Sequence, residues 1–217
     1  MYDLFINNEI RRPNRMLPNV PIPKTIHSMS CGLRARSFFD LVKREGITAI
    51  LDTRLTKRYR GFGFATQEDD FCYLCETHGV EYYNGDILAP TDFLRKTFHR
   101  EFTEPKTSAR RNPNAWTDYL AGYETLLQQR KPLQSGLLYD VLYGTTHASI
   151  AIVCSCLNHD DCHRSYACGI VSRYIGNVTL SILYPTDTPP SRKSPRRYRN
   201  QDFIHADLYQ NNPKTRR

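Results

Sequence analysis

The segment CSCLNHDDCHRSYACGIV, residues 154–171, concentrates side chains that can act as nucleophiles, metal ligands or anion-binding groups. It contains four cysteines, two histidines and one arginine within eighteen residues. A thiolate is both a nucleophile and a metal ligand, while histidine transfers protons and arginine binds carboxylates and phosphates. This segment is therefore the first candidate for a functional site.

Cys162 is the predicted nucleophile of this segment, because it precedes a stretch with helical spacing and is followed directly by His163 and Arg164. A helix start carries about half a positive charge, which together with these basic neighbours lowers a thiol pKa from about 8.5 toward neutrality. Asp160 or Asp161 is a candidate cap for that helix. The alternative is a small residue packed beneath a turn, since cysteine is frequently buried.

The same segment also offers ligands for zinc. The candidates are Cys154, Cys156, Cys162 and His163, with His159 as a replacement for one of them. Structural zinc sites usually contain cysteine pairs separated by two to four residues, whereas a single residue separates the first two cysteines here. Cys72 and Cys75 have the usual gap but lie on a predicted helix, whose apolar face explains both. The spacing therefore favours a nucleophile over zinc, and no other cofactor is predicted.

Strand and helix patterns alternate on both sides of this segment and must position it. Strand candidates occupy residues 24–30, 47–52, 80–84, 148–156 and 177–185. Helical spacing occupies residues 33–46, 66–79, 91–102, 115–130 and 162–176, with Thr66 as a candidate cap and a weaker continuation over 133–144. This alternation predicts an α/β protein with a three-layer, Rossmann-like fold and a mostly parallel sheet of about five strands.

The chain is long enough for one large domain: it has 217 residues, of which 40% are hydrophobic. We expect a proline-punctuated N-terminal arm over residues 1–23, a single α/β domain over 24–185, and a basic, extended tail over 186–217. No apolar run approaches the roughly 18 residues of a membrane span, and the opening is too polar for a signal peptide. Together with an odd count of seven cysteines, this predicts a cytoplasmic protein that does not contact membranes.

Basic residues suggest a phosphate-bearing partner. The formal net charge is +8, and the loop TRLTKRYRGFGF follows the second predicted strand, where open α/β sheets hold ligands. In this loop Arg58 and Arg60 alternate with Tyr59, Phe62 and Phe64. The basic residues could contact phosphates while the rings stack on bases, or the rings could pack as a lid over a crevice.

Three parts of the chain resemble domain-of-unknown-function family 488: TIHSMS, ILDTRL and AIVCSCLNHDDCHRSYACGIV. The resemblance covers about residues 24–185, and its most specific element is the sequence Cys-His-Arg at 162–164. The chain departs from the family pattern in two ways: the glycine that precedes the histidine in the family is missing, so that Ile26 runs directly into His27, and Cys156 replaces a glutamate. The resemblance implies a compact α/β fold with polar residues at one edge of the sheet, and it implies no particular activity.

The matching residues all follow strands or begin a helix, so we expect them to share one edge of the sheet. They are His27, Ser28, Asp52, Arg54, Cys154, Cys162, His163 and Arg164. The predicted catalytic residues are Cys162, His163, His27 and Asp52. The predicted substrate-binding residues are Ser28, Arg54, Arg58, Arg60 and Arg164. The alternative for Asp52 and Arg54 is a buried salt bridge that closes the loop.

Two functions remain open at this point. The first is an enzyme, a hydrolase or transferase, that acts on a nucleotide or nucleic acid held in an anion-binding crevice. The second is a non-catalytic nucleic-acid-binding or partner-binding module that uses the basic loop and the basic tail.

Overall fold

The computed structural model describes residues 25–57, 64–99, 112–144, 147–157, 159, 162–175 and 178–184. The predicted arm and tail lie outside the described residues, as do Arg58, Arg60 and the candidate caps Asp160 and Asp161. The limits of the predicted domain therefore stay a prediction. Among the described segments, no helix combines the length and apolar content needed to cross a membrane.

Five parallel strands form one sheet with the order β3-β2-β4-β1-β5. The strands are β1 (Thr25–Ser30), β2 (Ala49–Asp52), β3 (Glu81–Asn84), β4 (Ser149–Cys154) and β5 (Thr179–Ile182). All six residues of β4 are buried, because this strand lies at the centre and both of its faces are covered. The edge strands β3 and β5 are more polar and partly exposed.

Helices cover both faces of the sheet, which confirms the predicted three-layer α/β fold. They are α1 (Ala35–Arg44), α2 (Glu68–Thr77), α3 (Asp92–Phe98), α4 (Ala115–Arg130), α5 (Gly136–Tyr139) and α6 (His163–Ile175). Buried side chains of α1 and α2 pack on one face, and those of α4, α5 and α6 pack on the other. The α3 helix packs against α4.

Strand periodicity decides which core each residue joins. In β4, Ile150 and Ile152 face α4 and α6, whereas Ala151 and Val153 face α1 and α2. Successive side chains of a strand point to opposite faces, so Cys154 continues on the α4 and α6 side. The last residue of the central strand is thus directed toward the helix that follows it.

Local chemistry sets the helix ends. Gly46 has a φ of 60°, a left-handed conformation that glycine adopts without strain, just after α1. The α2 helix begins after Gln67, so Thr66 is not its cap and that prediction is wrong. Three acidic residues occupy the first turn of α2, where they oppose the positive end of the helix dipole and make a cap less necessary.

A candidate three-thiol site at the carboxyl edge of the sheet

Three cysteines meet where β4 ends and α6 begins, and we call Cys154, Cys156 and Cys162 the three-thiol site. Their Sγ atoms all lie within 4.8 Å of one another, and those of Cys154 and Cys156 are 3.7 Å apart. Cys154 ends the central strand, while Cys162 immediately precedes α6. The arrangement could hold a metal ion, although the spacing of these residues in the sequence argued against one.

Hydrogen bonding and burial shift the pKa values of the three thiols in different directions. Hydrogen bonds with the thiols of Cys156 and Cys162 lower the pKa of Cys154 well below its ordinary value of 9.0. The hydrogen bond to Cys154 raises the pKa of Cys156 to about 12, and burial raises the pKa of Cys162. The structure therefore shifts the pKa of Cys162 in the direction opposite to that predicted, and Cys154 is the better thiolate.

His163, the first residue of α6, presents an unprotonated nitrogen to the three-thiol site. Its Nε2 lies 2.8 Å from the backbone oxygen of Thr53 and 3.2 Å from the Thr53 hydroxyl. A carbonyl only accepts, so Nε2 carries the proton and Nδ1, 3.9 Å from the sulfur of Cys162, carries the lone pair. Burial lowers the pKa of His163, which keeps the ring neutral.

Arg164 holds the backbone of the three-thiol site through hydrogen bonds to two of its carbonyls. Its Nε donates to the Ser28 hydroxyl at 2.8 Å, and its Nη1 donates to the carbonyls of Cys156 at 2.9 Å and Cys154 at 3.3 Å. The Ser28 hydroxyl is in turn 2.6 Å from Nδ1 of His159. Arg164 is only 2% exposed, and no carboxylate among the described residues pairs with it. Arg164 and Ser28 thus hold the segment from Cys154 to Cys156 in place. Their predicted role was instead to contact a substrate.

The turn after β1 packs tightly against Ser155, which lies between Cys154 and Cys156. A Cβ atom at Gly32 would lie 2.6 Å from the backbone oxygen of Ser155, closer than side-chain carbons come to other atoms. The Gly32 amide donates to the Ser30 hydroxyl, which donates to the same Ser155 oxygen. Glycine is required here by the close approach of two backbone segments.

Asp52 and Arg54, at the end of β2, form the buried salt bridge that the sequence left as an alternative. Their exposed fractions are 0% and 2%, and Nη2 of Arg54 lies 2.7 Å from the carboxylate. Nη1 of Arg54 donates to the carbonyl of Ala65, and the hydroxyl of Tyr82 donates to Asp52 at 2.9 Å. Lys57 lies 3.8 Å from Asp52. These groups satisfy one another, so Asp52 and the Arg54 guanidinium are held by each other and by their loop, although Arg54 also lines the cavity described below.

His27 lies apart from the three-thiol site. Its Nε2 is 3.0 Å from the hydroxyl of Ser149, the first residue of β4, and that hydroxyl donates to the backbone of Glu45. Its neighbour Met29 packs with the α1 and α2 core, so strand alternation turns His27 toward that face as well. The predicted catalytic role of His27 therefore lacks the proximity that it would need.

A cavity of about 430 Å³ opens over the thiols. The three-thiol site, His163 and the segment 54–56 after β2 line it from the sheet side, and Tyr119 of α4 lines another wall. Arg95, Phe98 and His99 line the cavity from α3, where their spacing places them on one face of the helix. Sequence reasoning missed these α3 and α4 residues, and the helical spacing of TDFLRKTFHREF was the only available signal.

Aromatic rings stiffen that wall. The Phe98 ring centroid lies 5.3 Å from that of Tyr119 and 5.4 Å from that of Trp116, and the rings of Trp116 and Tyr119 stack at 5.2 Å. Arg95 remains 49% exposed and pairs with Asp92 at 3.5 Å. Thiols thus line one side of the cavity and aromatic rings line another, and the partly exposed Arg95 adds a positive charge to its lining.

One comparison with known proteins gives a match. A family model described as "Domain of unknown function DUF488" matches residues 34–171, which confirms the resemblance seen in the sequence. The matched range contains the salt bridge at the end of β2, the three-thiol site and the cavity wall formed by α3. No curated protein and no solved structure matches the chain.

Proposed function

The chain belongs to the DUF488 family, a domain of unknown function, and we propose that it is an enzyme whose reactive centre is the three-thiol site with a bound zinc ion. One observation carries this proposal: three sulfur atoms within 4.8 Å of one another line a cavity of about 430 Å³. Catalytic zinc sites use three protein ligands and leave the fourth position for water or substrate. All three cysteines line the cavity, so a water or a substrate in it could reach an ion that they held.

The sulfur positions suit zinc. Two thiolates at about 2.3 Å from a tetrahedral ion are separated by about 3.8 Å, and the sulfurs of Cys154 and Cys156 are already 3.7 Å apart. Thiolates also favour zinc over magnesium or calcium, which prefer oxygen ligands. Arg164 would offset part of the negative charge that three thiolates bring to a buried position.

The surrounding residues support hydrolysis, in which a group is transferred to water. When bound, zinc supplies Lewis acidity and lowers the pKa of a coordinated water toward 7. His163 offers the matching base, because Thr53 holds the proton on Nε2 and leaves Nδ1 free to accept one. The reactive roles assigned to Cys162 and His163 thereby become those of a ligand and a proton acceptor.

A nucleotide, free or within a nucleic acid, is the substrate class that the cavity walls favour. Phe98 and Tyr119 provide flat apolar surface for a base, and Arg95 provides positive charge for a phosphate. The volume falls within the range of small-molecule sites, roughly 300–1,000 Å³. The formal charge of +8 would attract a phosphate-bearing substrate from a distance.

The test is the metal content of the full chain, purified in reducing buffer and analysed by elemental mass spectrometry. We expect about one zinc per chain in the wild type, and loss of zinc in Cys154→Ser, Cys156→Ser and Cys162→Ser. Cys72→Ser, on α2, is the matched control and should retain zinc. A wild type without bound zinc, or three serine variants that keep it, would overturn the metal centre.

Activity is then measured as phosphate or base release from a panel of nucleotides and oligonucleotides. Turnover that a chelator abolishes and zinc restores supports the enzyme, and His163→Ala should lower kcat by about 10²–10⁴-fold as expected for loss of a general base. A zinc-loaded wild type that turns over no member of the panel counts against a nucleotide substrate.

The chain's charge supports a second candidate, a nucleic-acid-binding module. Its binding would depend on the basic loop and tail and not on the thiols. A Cys154→Ser variant that still binds oligonucleotides, with affinity falling steeply as salt rises, would favour this candidate over the enzyme.

A further inference from the structure

Cys154 and Cys156 are placed for a second kind of chemistry, which needs no metal. We propose that this pair is oxidised by peroxides to a disulfide, so that the same turn is a redox-reactive dithiol. The oxidation goes beyond the proposed function, because it depends on the thiols alone. Only its consequence for zinc, the loss of two of three ligands, rests on the proposed function.

Distance and restraint favour this pair. Their sulfurs are 3.7 Å apart, whereas a disulfide bond is about 2.05 Å long, so side-chain rotation must close a gap of roughly 1.7 Å. Cys154 is fixed in the central strand. Cys156 lies beyond the end of the strand and is exposed to solvent, and its sulfur lies beside those of the other two thiols. Arg164 holds both carbonyls and so keeps the two residues facing each other.

The remaining cysteines are poorer partners. Cys162 lies within 4.8 Å of both sulfurs but is buried at the start of α6, whereas Cys156 is exposed and therefore easier for a peroxide to reach. Cys31 and Cys75 are buried in the core on the α1 and α2 side, and Cys168 is buried in the core on the other side. Cys72 lies on α2, on the opposite face of the sheet from the three-thiol site. Oxidation should therefore be selective for the turn.

The reaction balances with one peroxide molecule. The sulfur of one cysteine attacks a peroxide oxygen, the O–O bond breaks, and the departing hydroxide takes up a proton to give water and a sulfenic acid. The second sulfur then attacks the first, the S–O bond breaks, the S–S bond forms, and a second water leaves. The two sulfurs together lose two electrons, which reduce the peroxide to water.

The experiment treats the full chain with hydrogen peroxide, alkylates the remaining thiols, and maps disulfides by peptide mass spectrometry. We expect the loss of two alkylation sites and a Cys154–Cys156 link in the metal-free wild type. Cys156→Ser, a change at an exposed position that should leave the fold intact, should not form this link. The double variant Cys156→Ser/Cys162→Ser, which also removes the other thiol within 4.8 Å of Cys154, should accumulate a sulfenic acid that dimedone traps at Cys154. Cys72→Ser should behave as the wild type.

The same samples separate this proposal from the zinc site. Zinc-loaded protein should resist oxidation, and oxidised protein should bind zinc at least 100-fold more weakly. A link in a protein that never binds zinc would sustain the dithiol and overturn the metal centre. A protein that binds zinc but, when stripped of it, forms no link or links other cysteines would overturn the dithiol alone.

Discussion

The ends of β2 and β4 lie side by side in the sheet and both bear buried reactive groups, yet they differ in how those groups are satisfied. At the end of β2, Asp52 and Arg54 bond to each other, and the surrounding loop meets their remaining polar atoms. At the end of β4 the three thiols lie close to one another, and no ion pair among the described residues holds them. Arg54 and the thiols line the same cavity, but of these only the thiols bring reactive groups to it that lack an ion-pair partner in the described part of the chain. Charge at a strand end therefore does not by itself mark a candidate site, whereas reactive groups that line a cavity without an ion-pair partner do.

Two buried arginines show the same contrast. Arg54 faces a carboxylate and stabilises a loop as one half of a closed pair. Arg164 donates to two carbonyls and a hydroxyl, and its charge is directed at the thiols. A buried cation without a carboxylate partner among the described residues indicates that another negative group shares its environment. The four changes that follow test whether the two strand ends are separable in this way.

Asp52→Ala should have the largest effect, on folding. It leaves Arg54 buried without its partner, which costs about 3–5 kcal/mol. Urea unfolding at neutral pH measures the loss. A loss below about 1 kcal/mol would mean that Arg54 is free to bind an anion after all, and the contrast between the two strand ends would fail.

Cys162→Ser should act on the metal instead. Loss of a ligand should weaken zinc binding by more than the roughly 10–100-fold that removal of an outer-shell partner causes. Competition against a chromophoric chelator gives the affinity, and urea unfolding of the metal-free form should change little. Equal zinc affinity in the variant and the wild type would contradict the assignment of Cys162 as a ligand.

Arg164→Lys keeps the charge but loses the fork that holds two carbonyls. We expect zinc affinity to fall by about 10–100-fold and the absorption spectrum of the cobalt-substituted protein to change, because the sulfurs are less well positioned. Arg130→Lys is the control, since Arg130 also donates to backbone carbonyls, of residues 86, 87 and 89. If both variants lose zinc equally, Arg164 has no special relation to the thiols.

Tyr82→Phe should have the smallest effect. It removes hydrogen bonds to Asp52 at 2.9 Å and Glu68 at 3.1 Å, at a cost of about 1 kcal/mol in unfolding free energy. Zinc affinity should not change. A change in zinc affinity would show that the two strand ends are coupled, which the geometry does not suggest.

The sequence predicted the elements well because each element depends on local periodicity. The five predicted strands all form, although β2 begins at Ala49 rather than at residue 47, β4 ends at Cys154 rather than at residue 156, and β5 ends at Ile182 rather than at residue 185. Strand order depends on pairing between distant segments, and no local pattern encodes it. The family resemblance reinforced the fold without adding an activity.

The site was harder to predict because only its thiols are close in sequence, whereas its cavity wall comes from the distant segments α3 and α4. Structural zinc sites usually have two cysteines separated by two to four residues. Here one residue separates Cys154 from Cys156, and the third thiol, Cys162, lies at the start of α6. His27 was misplaced for a simpler reason. With Ile26 in the α4 and α6 core, alternation alone places His27 on the other face, and that signal was present in the sequence.

Gly32 is far from the three-thiol site in sequence but contacts Ser155 in space, so a substitution at Gly32 would disturb the site. Alanine is among the mildest replacements at most surface turns, but here its methyl group would push the Ser155 carbonyl outward and separate the cysteines on either side. A laboratory selection for thiol-dependent activity should therefore reject nearly every substitution at position 32, even though that residue has no chemistry of its own.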